Sequence, residues 1–336
     1  MAVYMLIFFA ALGIAYVGTP LAQRVAPVAG FVKQPGARHI HTSPIPLLGG
    51  AAIYIGFVAA MLLFNSGQPP AEYKQLAGIL VAATTLALFG LWDDRHELKA
   101  VVKLIGQFLA ASIIIWSGIR VEFLHQPVLN LIATFAWLIG ISNAVNFLDN
   151  MDGLAGGAVS IACAFFFLLA TTNNQILVAS LSAALFGACL GFLRYNFNQA
   201  KIFMGDTGAL FLGMVLAAVA IKLRFENNDI VTWMIPVMVL GLPLFDTTLV
   251  AISRLRRGVN PFTTAGKDHT SHRLTDRGFT RREAVLLLYV VCFAFGMASL
   301  FLLNANLVEG YLTGGIVALI CLFALWRLEF HKRGAL

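Results

Sequence analysis

The amino-acid sequence predicts an all-α polytopic membrane protein with about eleven transmembrane helices, and three observations carry that expectation. Apolar residues make up 59% of the chain and charged residues 12%, with a mean hydropathy of +0.83, which leaves too little polar surface for a soluble globule. Apolar runs fall at about 3–23, 46–64, 75–92, 101–117, 128–147, 153–171, 176–193, 207–223, 231–251, 284–304 and 311–327, each near the length that a hydrocarbon core requires. Finally, all Lys and Arg except Lys74, Arg120, Lys222 and Arg224 fall on alternate connections (24–45, 93–100, 148–152, 194–206, 252–283), on the tail or, for Lys103, just past one of these connections. That bias marks one face as cytoplasmic and predicts an N-terminus outside and a C-terminus inside. The +7 net charge then reads as membrane topology, not as a nucleic-acid surface.

Taken in order, the first run has no positive residue before it and Arg24 after it, the reverse of a secretory signal, so a retained first helix is expected. Residues 30–50, GFVKQPGARHIHTSPIPLLGG, form a connection in which Pro35, Pro44 and Pro46 forbid a regular helix. Its Arg38, His39 and His41 read either as ordinary positive-inside residues or as phosphate contacts. The third run ends in Asp93 and Asp94. Paired carboxylates suit Mg²⁺, although Arg95 and Lys99 also allow a plain helix terminus. Lys103 and Gln107, one turn apart on the fourth helix, are expected to face one cavity.

The fifth run ends in NAVNFLDNMDGLAGG, residues 143–157. Asn143, Asn146, Asp149 and Asp152 recur every third residue, so neighbouring pairs are expected to share a helix face before Gly153, Gly156 and Gly157 loosen the backbone. Charge at the centre of a membrane helix costs about 2.5–3.5 kcal/mol per residue on insertion scales, which makes these residues functional candidates. The bland alternative is a polar helix end with a glycine cap. Asp206 in AKIFMGDTGALFLG stands directly before the eighth helix, as an N-cap or, with glycines on both sides, a metal ligand. Asp246 lies inside the ninth run, either lining a cavity or bonding a neighbouring helix.

The segment 252–283 is the one sizeable polar connection in a chain otherwise read as a single membrane domain, 1–336. Lys267, Asp268, His269, His272 and Arg273 make it cationic and suited to a diphosphate. His269 and His272 alone would also suit zinc, but no third ligand stands beside them. Cys163, Cys189, Cys292 and Cys321 all sit in apolar runs and read as small core residues.

Together PIPLLGG (44–50), WDD (92–94), NAVNFLDNMDGLAGG, AKIFMGDTGALFLG (200–213), PLFD (243–246) and KDHTSHRL (267–274) resemble one family, the polyprenyl-phosphate N-acetylhexosamine-1-phosphate transferases. The resemblance runs from about residue 30 to 280 and is stronger to the UDP-GlcNAc:undecaprenyl-phosphate GlcNAc-1-phosphate transferases than to phospho-MurNAc-pentapeptide translocase. It implies a bacterial inner-membrane enzyme with its site at the cytoplasmic helix ends. Its substrates would be a UDP-N-acetylhexosamine and undecaprenyl phosphate among the membrane lipids, with Mg²⁺ or Mn²⁺ as cofactor, no nucleic acid, and room for a homodimer. By motif, Asp206 would be the principal metal ligand with Asp94 and Asp149. Asp93, Asp94, Asp149 and His269 would be catalytic, and Asn146, Asp152, Lys103, His41, His272 and Arg273 would bind substrate. Ser271 departs from the histidine usual at the third position of the family's HxHH motif, as do Lys33, Gln34 and Leu48 from the usual early loop. An ion-coupled transporter and a CDP-lipid phosphatidyltransferase are the competing classes. The first expects midplane charge and inverted repeats, and the second a compact motif that Leu154, Ala155 and Gly156 do not supply.

Overall fold

The computed structural model describes residues 1–33, 44–64, 70–225, 230–261 and 266–330, and these divide into two compact units, Met1–Arg224 and Phe225–Leu336. Eight of the described helices are long and apolar enough to cross a membrane, and a ninth span is made by two helices joined at a bend. The protein is therefore a multi-pass membrane protein. Every expected apolar run coincides with helix, including the shorter Gly49–Phe64 and Ala100–Trp116.

In the first unit the helices are α1 (Ala2–Val28), α2 (Gly49–Phe64), α3 (Pro70–His96), α4 (Ala100–Trp116), α5 (Pro127–Leu148), α6 (Leu154–Thr172), α7 (Ile176–Asn196) and α8 (Gly205–Lys222). Helix α8 is apolar all round and buried along almost its whole length, packed against α2, α3 and α5, while α1, α2 and α6 pack on α7. Missing side chains permit the close approaches. A Cβ on Gly90 of α3 would lie 2.5 Å from the Asp206 carbonyl, and one on Gly213 of α8 would lie 2.6 Å from Ser142 Cα of α5.

Two short strands, β1 (Val32–Lys33) and β2 (Ile45–Pro46), pair antiparallel before α2, a feature the hydropathy pattern does not announce. The Phe203 amide donates to Pro46 O at 2.8 Å, and the Gly49 and Gly50 amides donate to Phe203 O and Met204 O, each at 2.9 Å. The first amides of α2, which have no partner inside their own helix, are thus satisfied by the chain that leads into α8. A Cβ on Gly50 would fall 2.2 Å from Gly208 N, so the PIPLLGG glycines serve backbone packing here.

The expectation that Gly153, Gly156 and Gly157 loosen the chain is corrected. Gly153 adopts φ 81° at the head of α6, a conformation suited to glycine, and Gly156 and Gly157 lie inside a regular helix. The three-residue polar period likewise breaks at Leu148, where α5 ends. Asn143 and Asn146 are helical, Asp149 caps the helix, and Asp152 lies beyond it.

The second unit holds α9 (Ile230–Val239), α10 (Gly241–Arg256), the short α11 (Thr270–Thr275), α12 (Arg281–Leu303) and α13 (Leu307–Phe330). The expected continuous ninth span is instead bent by 74° between α9 and α10. Pro243 lacks the amide that would bond Val239, and its ring crowds that carbonyl, so the helix breaks just before it, at Leu240. Helix α12 packs against α9, α10 and α11, and its first turn is closed by a reciprocal Thr280–Glu283 capping box.

Candidate active site

Helices α3 and α5 end, and α4 and α8 begin, at the same end of the first unit, so residues far apart in sequence meet there. Lys103 Nζ, in the first turn of α4, lies 2.6 Å from Asp93 Oδ2 and 2.6 Å from Asp206 Oδ2. Asn146, in the last turn of α5, donates from Nδ2 to Asp206 Oδ1 at 2.9 Å. Asp93 Oδ1 also accepts from the Leu98 amide at 2.6 Å, closing the turn between α3 and α4. One turn along α4, Gln107 and Asn143 exchange amide hydrogen bonds at 3.1 and 2.9 Å. The expected common cavity for Lys103 and Gln107 is thus a polar seam in which each meets a different partner.

Asp94 turns the other way. Its Oδ1 accepts from the Asp206 amide at 2.8 Å, and its Oδ2 accepts from the Thr207 amide at 3.0 Å and the Thr207 hydroxyl at 2.6 Å. A carboxylate from α3 therefore caps the N-terminus of α8, where orphan amides and the helix dipole favour negative charge. Gly205 makes room at φ 66°, since a Cβ there would sit 2.4 Å from Asp94 Oδ2. With the cap supplied by Asp94, the reading of Asp206 as its own N-cap gives way. The Asp206 side chain points instead to Lys103 and Asn146. Thr207, in the motif beside Asp206, is a site residue that sequence reasoning passed over.

The loop from Asp149 to Gly153 is stitched to the segment before α8. Asp152 Oδ2 accepts from the Ala200 amide at 2.9 Å, Asn196 Oδ1 accepts from the Gly153 amide at 2.9 Å, and Asn196 Nδ2 donates to Ile202 O at 2.9 Å. Asp152 thus holds the loop, and Asn196, buried and unremarked in the sequence, holds both sides. Asp149 lies just past α5. Burial first and the Asp206 charge second push its carboxyl up to about 7, with Lys33 opposing. His41 lies outside the described residues.

In the second unit, Asp246 of α10 is 1% exposed and meets His269 Nδ1 through Oδ2 at 2.8 Å, while its Oδ1 accepts from the Thr270 amide at 2.6 Å. Of the two readings for Asp246, the bond to a neighbouring element holds. Asp268 receives Arg254 Nε at 3.0 Å and Arg254 Nη2 at 2.9 Å, and it is also paired with Arg257. Burial alone would raise its carboxyl, but the arginines hold it down at about 2. Arg273 bonds Asp268 O, Leu328 O and Glu329, so it braces α11 against α13 and does not stand open to substrate. The His272 ring lies 6.1 Å from that of His269, and burial first, then positive charge nearby, pushes its pKa below the ordinary histidine value.

Among the described residues no three Asp, Glu, His or Cys side chains gather into a metal cage, so Asp206, Asp94 and Asp149 do not form a closed three-carboxylate set. The arrangement still fits Mg²⁺, which takes one or two carboxylates and leaves its other positions to water and substrate phosphate. Asp93 and Asp206 bracket a point already favourable to positive charge, since the Lys103 ammonium stands between them. Asp94, with both oxygens bonded to α8, supports that pair from behind.

Carboxylates, a lysine and an asparagine gathered at the ends of buried helices define a membrane-embedded enzyme of phosphate chemistry. The glycosyl transferase family 4 profile matches residues 76–224, the segment that carries this whole cluster. The chain is 34% identical over 298 residues to a probable undecaprenyl-phosphate N-acetylglucosaminyl 1-phosphate transferase of Bacillus subtilis, covering 86% of this chain and 82% of the relative. It is 33% identical to a decaprenyl-phosphate N-acetylglucosaminephosphotransferase of Mycobacterium leprae, over 90% of this chain and 85% of that one. A phospho-N-acetylmuramoyl-pentapeptide-transferase of Desulforamulus reducens is 31% identical over 87% and 92%. The chain belongs to glycosyl transferase family 4, as a phosphoglycosyltransferase of the polyprenyl-phosphate sugar-1-phosphate branch.

Proposed function

We propose that the protein transfers GlcNAc-1-phosphate from UDP-GlcNAc to undecaprenyl phosphate, releasing UMP, at the start of a cell-envelope polysaccharide. The observation that carries this reading is the pair Asp93 and Asp206 around Lys103 at a membrane-helix end, where a lipid phosphate and a cytosolic nucleotide can meet. The names of the relatives support GlcNAc as the sugar and a polyprenyl phosphate as the acceptor. The positive-inside bias supports a bacterial inner-membrane location with the site cytoplasmic and the N-terminus outside.

In the reaction, an oxygen of the lipid phosphate forms a bond to the β-phosphorus of the donor. The bond from that phosphorus to the bridging oxygen breaks, and its electron pair leaves with UMP. Phosphoryl transfer of this kind depends on positioning and charge neutralisation. Asp206 with Asp93 would hold Mg²⁺ or Mn²⁺, which when bound would neutralise the diphosphate. Asp93 accepts the proton of the attacking phosphate, Lys103 steadies negative charge between the two substrates, and Asn146 keeps Asp206 in place. Asp94 keeps the head of α8 in register. His269 and His272 recognise the donor's diphosphate or sugar. Attack is direct, and a trapped phosphoryl-Asp93 or phosphoryl-Asp94 would overturn that step.

The test uses the purified protein in vesicles with undecaprenyl phosphate and Mg²⁺, offered UDP-GlcNAc, UDP-GalNAc or UDP-MurNAc-pentapeptide. UMP release with UDP-GlcNAc, and a lipid product of matching mass, is expected. Preferred release from UDP-MurNAc-pentapeptide would reassign the donor. Counterflow uptake without UMP would replace the enzyme by a transporter.

A further inference from the structure

We infer that Asp246 is a positioning residue that acts through His269, fixing which ring nitrogen carries the proton and in which direction the ring points. Three observations carry this. Asp246 is 1% exposed and His269 6% exposed, so the contact is sealed from water and neither side chain has solvent to turn into. The two Asp246 oxygens divide their work, with Oδ2 at 2.8 Å from His269 Nδ1 and Oδ1 at 2.6 Å from the Thr270 amide. The same carboxylate therefore holds the ring and the backbone that follows it.

A carboxylate in this role only accepts, so the Asp246 contact places the ring proton on Nδ1. The backbone that leads into the ring is held as well. Asp268, the residue before it, is pinned by Arg254 and Arg257, and Arg273 ties the Asp268 carbonyl to α13 through Leu328 O and Glu329. The backbone on both sides of His269 is thus anchored to α10 and α13, and Asp246 acts on the ring itself through Nδ1. Second-layer carboxylates commonly set histidine orientation in this way, and exchanging such a carboxylate for its amide keeps the shape while inverting the preferred proton position. Asn at position 246 would have one acceptor oxygen for two N–H groups, and its NH₂ would face Nδ1.

The catalytic consequence rests on the proposed transfer, whereas the tautomer itself does not, and the experiment keeps the two apart. Histidine-¹⁵N-labelled full-length protein in bilayers is compared as wild type, Asp246→Asn and His269→Gln, the last serving to assign the His269 signals. Wild type should show Nδ1–H at His269, and Asp246→Asn should move the proton to Nε2. An Nε2–H signal in the wild type, or no change in the variant, overturns the inference whether or not the protein is active. In parallel, UMP release is measured for both single variants and the double variant, with thermal unfolding as a check of fold. Asp246→Asn is expected to lower kcat by about 10²–10⁴-fold, with much less change in KM for the donor. Adding it to His269→Gln should cost little more. Equal losses in the two backgrounds would show that Asp246 acts independently of His269 and sink the proposal. If the wild type releases no UMP, the transferase reading fails and the spectra alone decide this one.

Discussion

The two charged clusters of this protein are built on opposite balances. In the first unit Asp93 and Asp206 share a single cation, Lys103, while Asp94 is turned onto the head of α8 and Asp149 lies buried just past α5. In the second unit Arg254 and Arg257 converge on Asp268, and Arg256 and Arg273 converge on Glu329. A site short of cations is one that an added cation improves, whereas over-paired carboxylates need nothing further and brace the chain. The contrast teaches where chemistry belongs in a molecule rich in charge at its edges. The first cluster is left electrostatically incomplete, and the second is closed around its own arginines, with the Asp246–His269 pair standing apart from them.

The largest effect expected to break the comparison comes from Asp206→Asn. UMP release should fall on the order of 10³-fold, the loss seen when one charge-stabilising group is removed from a transfer centre, with the melting temperature little changed. Near-normal turnover in that variant would mean that the first cluster is also merely structural.

Next comes Asp268→Ala, which leaves Arg254, 3% exposed in its side chain, without its partner. Breaking a buried pair costs about 3–5 kcal/mol, so thermal unfolding in detergent should drop by several degrees. The pH dependence has a definite sign. The folded carboxyl is held at about 2, below its unfolded value, so the wild-type advantage is full above the unfolded pKa of about 3.9 and disappears as pH falls through about 2. A gap between wild type and variant that survives at pH 2 would contradict the pairing.

A smaller effect sharpens the packing side of the argument. Gly50→Ala places a methyl 2.2 Å from Gly208 N and 2.4 Å from Met204 O, both backbone atoms that cannot swing aside. Overpacking of this kind costs about 1–3 kcal/mol, measured as a lower melting temperature. Wild-type stability would show that α2 can retreat from α8. The smallest change belongs to Arg224→Ala, whose ion pair with Glu122 is about half exposed and should matter by less than about 1 kcal/mol.

Adjacent residues show how far the sequence could be read. Asp93 and Asp94 look alike in the motif, but neighbours on a helix point roughly 100° apart. One turns to Lys103 and the other to the head of α8. Nothing local distinguishes them, because the Asp94 partners lie more than a hundred positions along the chain. Asp206 was misleading as a cap, since glycine and aspartate before an apolar run also fit a side chain turned to partners on other helices, Lys103 and Asn146. Arg273 was read as a substrate ligand because its charge was visible, while the Leu328 carbonyl and Glu329 that occupy it lie over fifty residues away. Asn196 carried no signal beyond its presence in YNFNQ, since its importance lies in spanning two loops.

What the sequence determined by itself was the order and span of the apolar helices, the membrane setting and the family, because hydropathy, proline placement and motif order are properties of the chain as written. The break at Leu240 was written there too, in Pro243, though only the folded chain gave its angle. Tertiary structure alone decided which carboxylate faces the cation position, which one caps a helix and which one steers a histidine. Those roles depend on approaches of about 3 Å between distant segments, and such approaches are set by the packing of whole helices around α8 and α12.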